Sequence, residues 1–194
     1  MLLNLKDYSN FEIIFDDFLN RDLLSDIKIK YQHLYVVANL PYYITTPIIE
    51  KLTTSSFDIE LMRVMVQKEV GDRFAAKVGS REYSSLSVYL DYNYDVKKEF
   101  VVRKNCFYPR PNVDSIIVSF YKKSMKYDVN NVDLFYKLVR DSFKFKRKTL
   151  KNNLIGYDLD CILKVLKRYN YDLSVRAEQL DTKIFCEISN ELSI

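Results

Sequence analysis

The apolar run Tyr-Val-Val-Ala at residues 35–38 gives way at once to Asn-Leu-Pro-Tyr-Tyr at residues 39–43. Four apolar residues in a row do not alternate between core and water. They suit a parallel strand covered on both faces. Parallel strands in turn require crossover connections, usually helical. One follows directly: Thr45 or Thr46 before Pro47 marks a helix start, a hydroxyl cap with a proline just inside, and Ile48, Ile49 and Leu52 supply the apolar face. Another apolar run, LMRVMV at 61–66, leads into a helix-like stretch over 70–78. A shorter strand, EIIFDDF at 12–18, is expected upstream, running into an acidic turn. Strand, helix, strand, helix implies a layered α/β sheet with right-handed crossovers.

Residues 86–94 read as a further helix, and residues 100–102 and 115–121 (SIIVSFY) as late strands. Past residue 122 no strong strand-like run remains. Val139, Phe143, Leu150 and Leu154 fall on one helical stripe over 134–154, Asp158 can cap a helix carrying Leu159, Ile162, Leu163 and Leu166, and Asp181 can cap another. The expected organisation is an α/β domain over residues 1–124 and a small helical domain over residues 125–194.

Several function classes fall away on composition. Of the 194 residues, 48% are hydrophobic and 29% charged, enough for a packed core. The cysteines Cys106, Cys161 and Cys186 are scattered, with no Cys-x-x-Cys pair, and His33 is the lone histidine, so neither a disulfide scaffold nor a metal site is expected. No apolar run approaches a membrane span and residues 1–10 lack a signal-peptide pattern, so a soluble, cytoplasmic protein with no membrane partner is expected. The net charge of +4 is only mildly basic. Its local clustering matters more: Arg140, Lys144, Lys146, Arg147, Lys148 and Lys151 are opposed only by Asp141, and Lys144, Arg147, Lys148 and Lys151 share one face if the segment is a continuous helix.

Ligands of open α/β sheets sit at the carboxyl ends of the strands. That rule selects Asp16 and Asp17, residues 39–43, and residues 67–69. Asn-Leu-Pro-Tyr suits a nucleobase. The Asn39 amide matches an exocyclic amine, Pro41 stiffens the turn, and Tyr42 offers a face for stacking. Pro and Tyr are also frequent in plain turns, and the tetrapeptide alone leaves both readings open. Gln67, Lys68 and Glu69 read as helix-start and surface residues.

Asn-Leu-Pro-Tyr resembles the Asn/Asp-Pro-Pro-aromatic motif of amino-methyltransferases that use S-adenosylmethionine. The longer stretch VVANLPYYITTPII resembles the small-subunit ribosomal RNA adenine N6,N6-dimethyltransferases. Further blocks agree in order: VMVQKEVGDRFAA at 64–76, EYSSLSV at 82–88 with Ser84 where that family has Gly, FYPRPNVDS at 107–115, FKFKRKTLKNNL at 143–154 with Lys146 in place of an Arg, and VRAEQL at 175–180. The resemblance covers nearly all of the chain beyond Phe11.

It implies a Rossmann-like S-adenosylmethionine-dependent methyltransferase sheet and a C-terminal helical domain. It implies that Asn39 and the Leu40 carbonyl orient the target N6 and that Asn39 lies beside the cofactor. Pro41 would shape the turn, and Tyr42 and Phe107 would hold the two faces of a flipped-out adenine. Asp17, with Asp16 as runner-up, would bond the adenine amine of S-adenosylmethionine. Lys144, Arg147, Lys148 and Lys151 would meet RNA phosphates. The implied activity is dimethylation of two adjacent adenosines in the 3′-terminal hairpin of small-subunit ribosomal RNA, by a monomer acting on the pre-30S particle.

One block is missing. The family's Gly-rich cofactor loop, Glu-x-Gly-x-Gly-x-Gly, has no counterpart, because the only glycines are Gly71, Gly79 and Gly156. The sheet is therefore expected to lack its first strands, with the chain beginning part-way through the domain and an edge left open. Two other readings stay in view. One is the large-subunit adenine methyltransferase of macrolide resistance, against which Leu40 and the Val-Asp-Ser at 113–115 speak. The other is an RNA-binding assembly factor without catalysis.

Overall fold

The computed structural model describes residues 9–27, 31–124 and 127–194. The described residues through Tyr31 form one compact unit, and Gln32–Ile194 forms another.

In the first unit the expected strand over 12–18 does not form. These residues are irregular, followed by a 3-10 turn over Phe18–Asn20 and the short helix α1, Leu23–Asp26. The apolar side chains EIIF suggested a buried strand, yet Phe15 is 81% exposed. A strand needs a partner to satisfy its N–H and C=O groups, and among the described residues this segment has no strand beside it. The acidic pair shapes the turn instead. The Asp17 carboxylate accepts from Leu19 N at 2.9 Å, and Arg21 bridges Asp16 and Asp26.

The second unit holds a four-stranded sheet of β1 (Leu34–Asn39), β2 (Ile59–Gln67), β3 (Tyr94–Val102) and β4 (Ser115–Lys122), in the order β1-β2-β4-β3. β1 and β2 run parallel, while β4 runs antiparallel to both β2 and β3. The core of the sheet is β2 and β4: Met62, Val64, Val66, Val118 and Phe120 have no exposed surface. β1 departs from expectation. It is the outer strand, and its residues alternate, with Tyr35 56% and Val37 81% exposed. Its apolar run signalled cover on both faces, but here one face of the strand is left bare.

Helices α2 (Thr45–Thr53), α3 (Lys68–Phe74) and α4 (Ser85–Asn93) follow β1 and β2. α2 does not open on a hydroxyl cap. A 3-10 turn over Tyr42–Ile44 runs straight into it, and the Thr45 hydroxyl donates to the Pro41 carbonyl at 2.9 Å. α3 packs against β4 through Gly71, where a Cβ would stand 2.3 Å from the Ile116 Cγ2.

After β4 come α5 (Val132–Ser142), α6 (Leu150–Asn153), α7 (Leu159–Arg168) and α8 (Thr182–Glu191). Asp158 and Asp181 cap α7 and α8, accepting from Asp160 N and Cys161 N and from Ile184 N. The continuous helix expected over 134–154 is broken. α5 stops at Ser142, and residues 143–149 form turns before α6. The Asn153 side chain holds that break, accepting from Phe145 N at 3.1 Å and donating to the Ser142 carbonyl at 2.7 Å. Val139, Leu150 and Leu154 still reach the core. Leu150 lies seven positions after Phe143, close to two helical turns, so the stripe reads as unbroken although the backbone is not.

The helices dock on α4. The Tyr92 and Phe135 rings lie 4.7 Å apart, Tyr89 donates to the Tyr136 carbonyl at 3.0 Å, and the buried Asn93 amide donates to the Tyr136 hydroxyl at 2.9 Å. No helix among the described residues is long and apolar enough to cross a membrane.

Candidate active site

Asn39 is the last residue of β1, exposed, opposite Met65 of β2. Two residues further along β2, Gln67 stands opposite Ser115, the first residue of β4, and Ser115 also stands opposite Val102, the last of β3. The strand pairing thus gathers Asn39, Gln67 and Ser115 at one end of the sheet.

The turn after Asn39 is held at each step. Leu40 N donates to the Met65 carbonyl at 3.2 Å, extending the β1–β2 ladder by one residue, and the Leu40 side chain is buried at 7% exposure. Leu40 therefore fastens the turn through its N–H and side chain, and among the described residues no hydrogen bond to its carbonyl oxygen is found. The Pro41 carbonyl, by contrast, is occupied by Ile44 N at 3.3 Å and the Thr45 hydroxyl at 2.9 Å. Tyr42 is half-buried, and its phenol shares a 2.8 Å hydrogen bond with the Ser115 hydroxyl. Tyr43 beside it is exposed.

Phe107 is half-buried and follows a short 3-10 turn over Lys104–Cys106, its N–H donating to the Lys104 carbonyl. Asp114 closes the loop that carries it: its carboxylate accepts from Lys104 N at 2.9 Å and its carbonyl from Lys68 N at 2.9 Å. A cleft of about 560 Å³ lies here, lined by Gln67, Lys68, Lys104, Asn112 and Asp114 among others. Lys68, expected to make surface contacts, does so. Its ammonium donates to Asp72 at 2.7 Å, and that bond, with a second from Lys98, holds the Asp72 carboxyl below the usual carboxylate range.

Asp17 belongs to the first unit, where its Oδ1 accepts from the Leu19 N–H. The basic residues do not share a helical face, because the helix ends at Ser142. Lys144, Arg147 and Lys148 are exposed on the turns of residues 143–149, and Lys151 is exposed on α6. Lys146 is drawn away to donate to the Arg81 carbonyl at 2.6 Å. Sequence reasoning passed over Ser115 and Asp114 as site-shaping residues. The only signal was the block Val-Asp-Ser itself, whose partners lie 73 and 10 residues away.

These residues do not by themselves build a pocket for S-adenosylmethionine. Residues 1–70 hold no glycine to bring backbone close to a cofactor beside β1. Gly71 is packed against Ile116, while Gly79 and Gly156 carry positive φ in turns after α3 and α6. Asp17 is already bonded to its own turn.

The fold is that of Rossmann-like methyltransferases. A crystal structure of a dimethyladenosine transferase from Plasmodium falciparum superposes with a TM-score of 0.71 at 25% identity, covering 96% of this chain and 74% of that one. The 23S rRNA methyltransferase ErmE shares the fold alone, with a TM-score of 0.65 at 17% identity over 99% of this chain and 76% of that one. The model of the ribosomal RNA adenine dimethylase family matches residues 2–193. Ribosomal RNA small subunit methyltransferase A of Clostridium acetobutylicum is 37% identical over 191 residues, 97% of this chain and 69% of that protein. Its counterpart in Enterococcus faecalis is 40% identical over 198 aligned positions, 97% of this chain and 67% of that protein. The chain belongs to the ribosomal RNA adenine dimethylase family, and by family it is an adenine dimethyltransferase acting on ribosomal RNA.

Proposed function

We propose that this chain supplies the adenine-accepting side of small-subunit ribosomal RNA N6,N6-dimethylation, with S-adenosylmethionine as the methyl donor of the complete reaction. The observation that carries the reading is the turn at residues 39–42. It presents an exposed Asn39 and a Leu40 carbonyl that no donor among the described residues engages, beside a tethered Tyr42. Asn39 Oδ1 and the Leu40 carbonyl accept the two N6 hydrogens of the target adenine. That pair of acceptors keeps the amine nitrogen aimed at the incoming methyl group. Tyr42 stacks on one face of the base and Phe107 on the other. Pro41 sets the turn, and its own carbonyl is committed to the start of α2. The described residues do not form the donor's pocket, and their part is to bind and orient the acceptor.

The target is a pair of adjacent adenosines in the 3′-terminal hairpin, met on the pre-30S particle in the cytoplasm by a monomer. Lys144, Arg147, Lys148 and Lys151, in the helical portion over residues 125–194, contact RNA phosphates. The preference for the small subunit over the macrolide-resistance target rests on the sequence identity to small-subunit enzymes.

The test is binding of a fluorescent 3′-terminal hairpin whose two adenosines are intact or replaced by purine riboside, which lacks the amine. The intact hairpin should bind about 10-fold more tightly, the worth of one or two hydrogen bonds, and Asn39→Ala should shrink the difference to about 3-fold, since the Leu40 carbonyl still accepts one N6 hydrogen. Equal binding of both hairpins, or tighter binding of a large-subunit hairpin, would overturn the assignment.

A further inference from the structure

We infer that Ser115 is a positioning residue that sets the plane of the Tyr42 ring through the hydrogen bond between their hydroxyls. This rests on the reading of Tyr42 as the stacking face for the target adenine. Three observations carry it.

Ser115 is an immobile anchor. It has no exposed surface, and its backbone is paired on both sides, to Gln67 of β2 and to Val102 of β3. The residue before it, Asp114, ties in the start of α3 and the 3-10 turn after β3, through Lys68 N and Lys104 N. Few positions in the sheet are held from so many directions.

Tyr42, by contrast, stands on a turn leaving an edge strand, flanked by exposed Pro41 and Tyr43. Its backbone belongs to the short 3-10 turn over Tyr42–Ile44. The 2.8 Å bond to Ser115, across 73 residues of sequence, joins the tip of its ring to the core of the sheet. A stacking face is useful only in one orientation. A ring held at both Cβ and Oη keeps one axis, and because the hydrogen-bonding directions of a phenol lie near the plane of its ring, a fixed partner such as Ser115 also favours one plane about that axis.

A buried hydroxyl without a partner is costly, and the phenol is its partner here. The serine and the tyrosine therefore act as one unit, and removing either hydroxyl should have the same consequence.

The experiment uses the full chain and two readouts. Fluorotyrosine placed at position 42 reports the ring by its fluorine resonance without RNA. A hairpin with 2-aminopurine at the target position reports stacking by its fluorescence change at saturating protein. Ser115→Ala should shift and broaden the fluorine line and lower the equilibrium constant between stacked and unstacked base, read from the fluorescence change, about 3- to 10-fold, the usual range for one hydrogen bond. Tyr42→Phe, which removes the fluorine probe, should match it in the fluorescence readout, and there the double variant should be no worse than either. Ser115→Thr, which keeps the hydroxyl, should restore both signals. Ser142→Ala removes an equally buried serine that bonds within its own helix, and should move neither. The inference is overturned if Tyr42→Ala abolishes stacking while Ser115→Ala leaves it whole, or if Ser115→Ala and Tyr42→Phe add. If Tyr42→Ala itself leaves the fluorescence change intact, the stacking role of Tyr42 fails and the inference falls with it.

Discussion

The side-chain amide of Asn153 donates to the carbonyl of Ser142 at 2.7 Å, across the seven residues that interrupt what would otherwise be one helix. It satisfies a carbonyl left open at the end of α5 and also receives Phe145 N at 3.1 Å. One side chain thus shapes the turns on which Lys144, Arg147 and Lys148 stand. Asn153→Ala should destabilise the fold by roughly 1–3 kcal/mol, as expected for buried or half-buried groups left unpaired. Urea unfolding measures this, and a change below a few tenths of a kcal/mol would show the loop to be held otherwise.

The exposed cations should act on RNA as separable point charges. Each cation taken off a phosphate lowers the salt dependence of binding by nearly one unit of log K per log salt. Arg147→Ala and Lys148→Ala should each reduce the slope by about 0.7–0.9 without altering discrimination against purine riboside. Lys146→Ala should leave the slope nearly unchanged, because that ammonium is engaged by the Arg81 carbonyl. A hairpin titrated at several salt concentrations separates the two cases.

Gly71 has a packing reason rather than a catalytic one. A methyl group there would meet Ile116 Cγ2 at 2.3 Å and Val118 Cγ2 at 3.1 Å. Gly71→Ala should cost about 1–3 kcal/mol through overpacking. Pairing it with Ile116→Ala, which removes the clashing carbon, should make the double variant less unstable than the sum of the singles. Strict additivity in thermal melts would refute the clash.

Alkaline pH should unfold the protein earlier than its surface charge suggests. Burial pushes the Cys186 thiol up to about 12 and the Tyr94 phenol up to about 12. Both groups are neutral when protonated. In the unfolded chain they release their protons from roughly pH 9 and pH 10 respectively, while the folded chain retains them. The folded state then binds more protons than the unfolded one, so stability is full below about pH 9 and falls as pH rises toward about 12. Each group contributes a slope of about 1.4 kcal/mol per pH unit. Cys186→Ala should remove the part of the decline that begins near pH 9 in urea melts. An unchanged decline would assign it to other groups.

Calorimetric titration of the 194-residue chain with S-adenosylmethionine should give no measurable heat of binding. The reason is that residues 1–70 of this chain hold no glycine to bring backbone close to a cofactor, and that Asp17 Oδ1 accepts from its own turn. A micromolar dissociation constant would show that other residues hold the donor.

What the sequence determined by itself was whatever depends on neighbours along the chain. Asp158 and Asp181 announce α7 and α8, because a cap acts on N–H groups two or three residues away. The runs at 61–66 and 115–121 announce β2 and β4, because strand side chains are sorted by local pattern. The ordered motif blocks placed the chain in its family, and the apolar run before them placed Asn39 and Tyr42 at a strand end. The tertiary structure decided everything that depends on a distant partner. The apolar run of β1 became a half-bare edge because among the described residues no strand pairs with its outer side and no layer covers the face that carries Tyr35 and Val37. EIIFDDF stayed irregular for the same lack of a neighbouring strand. The stripe over 134–154 concealed a break, since a step of seven residues returns to nearly the same face whether or not the backbone between is helical. The tether between Tyr42 and Ser115 lies beyond any local pattern, because hydrogen-bond partners 73 residues apart meet only once the sheet has formed.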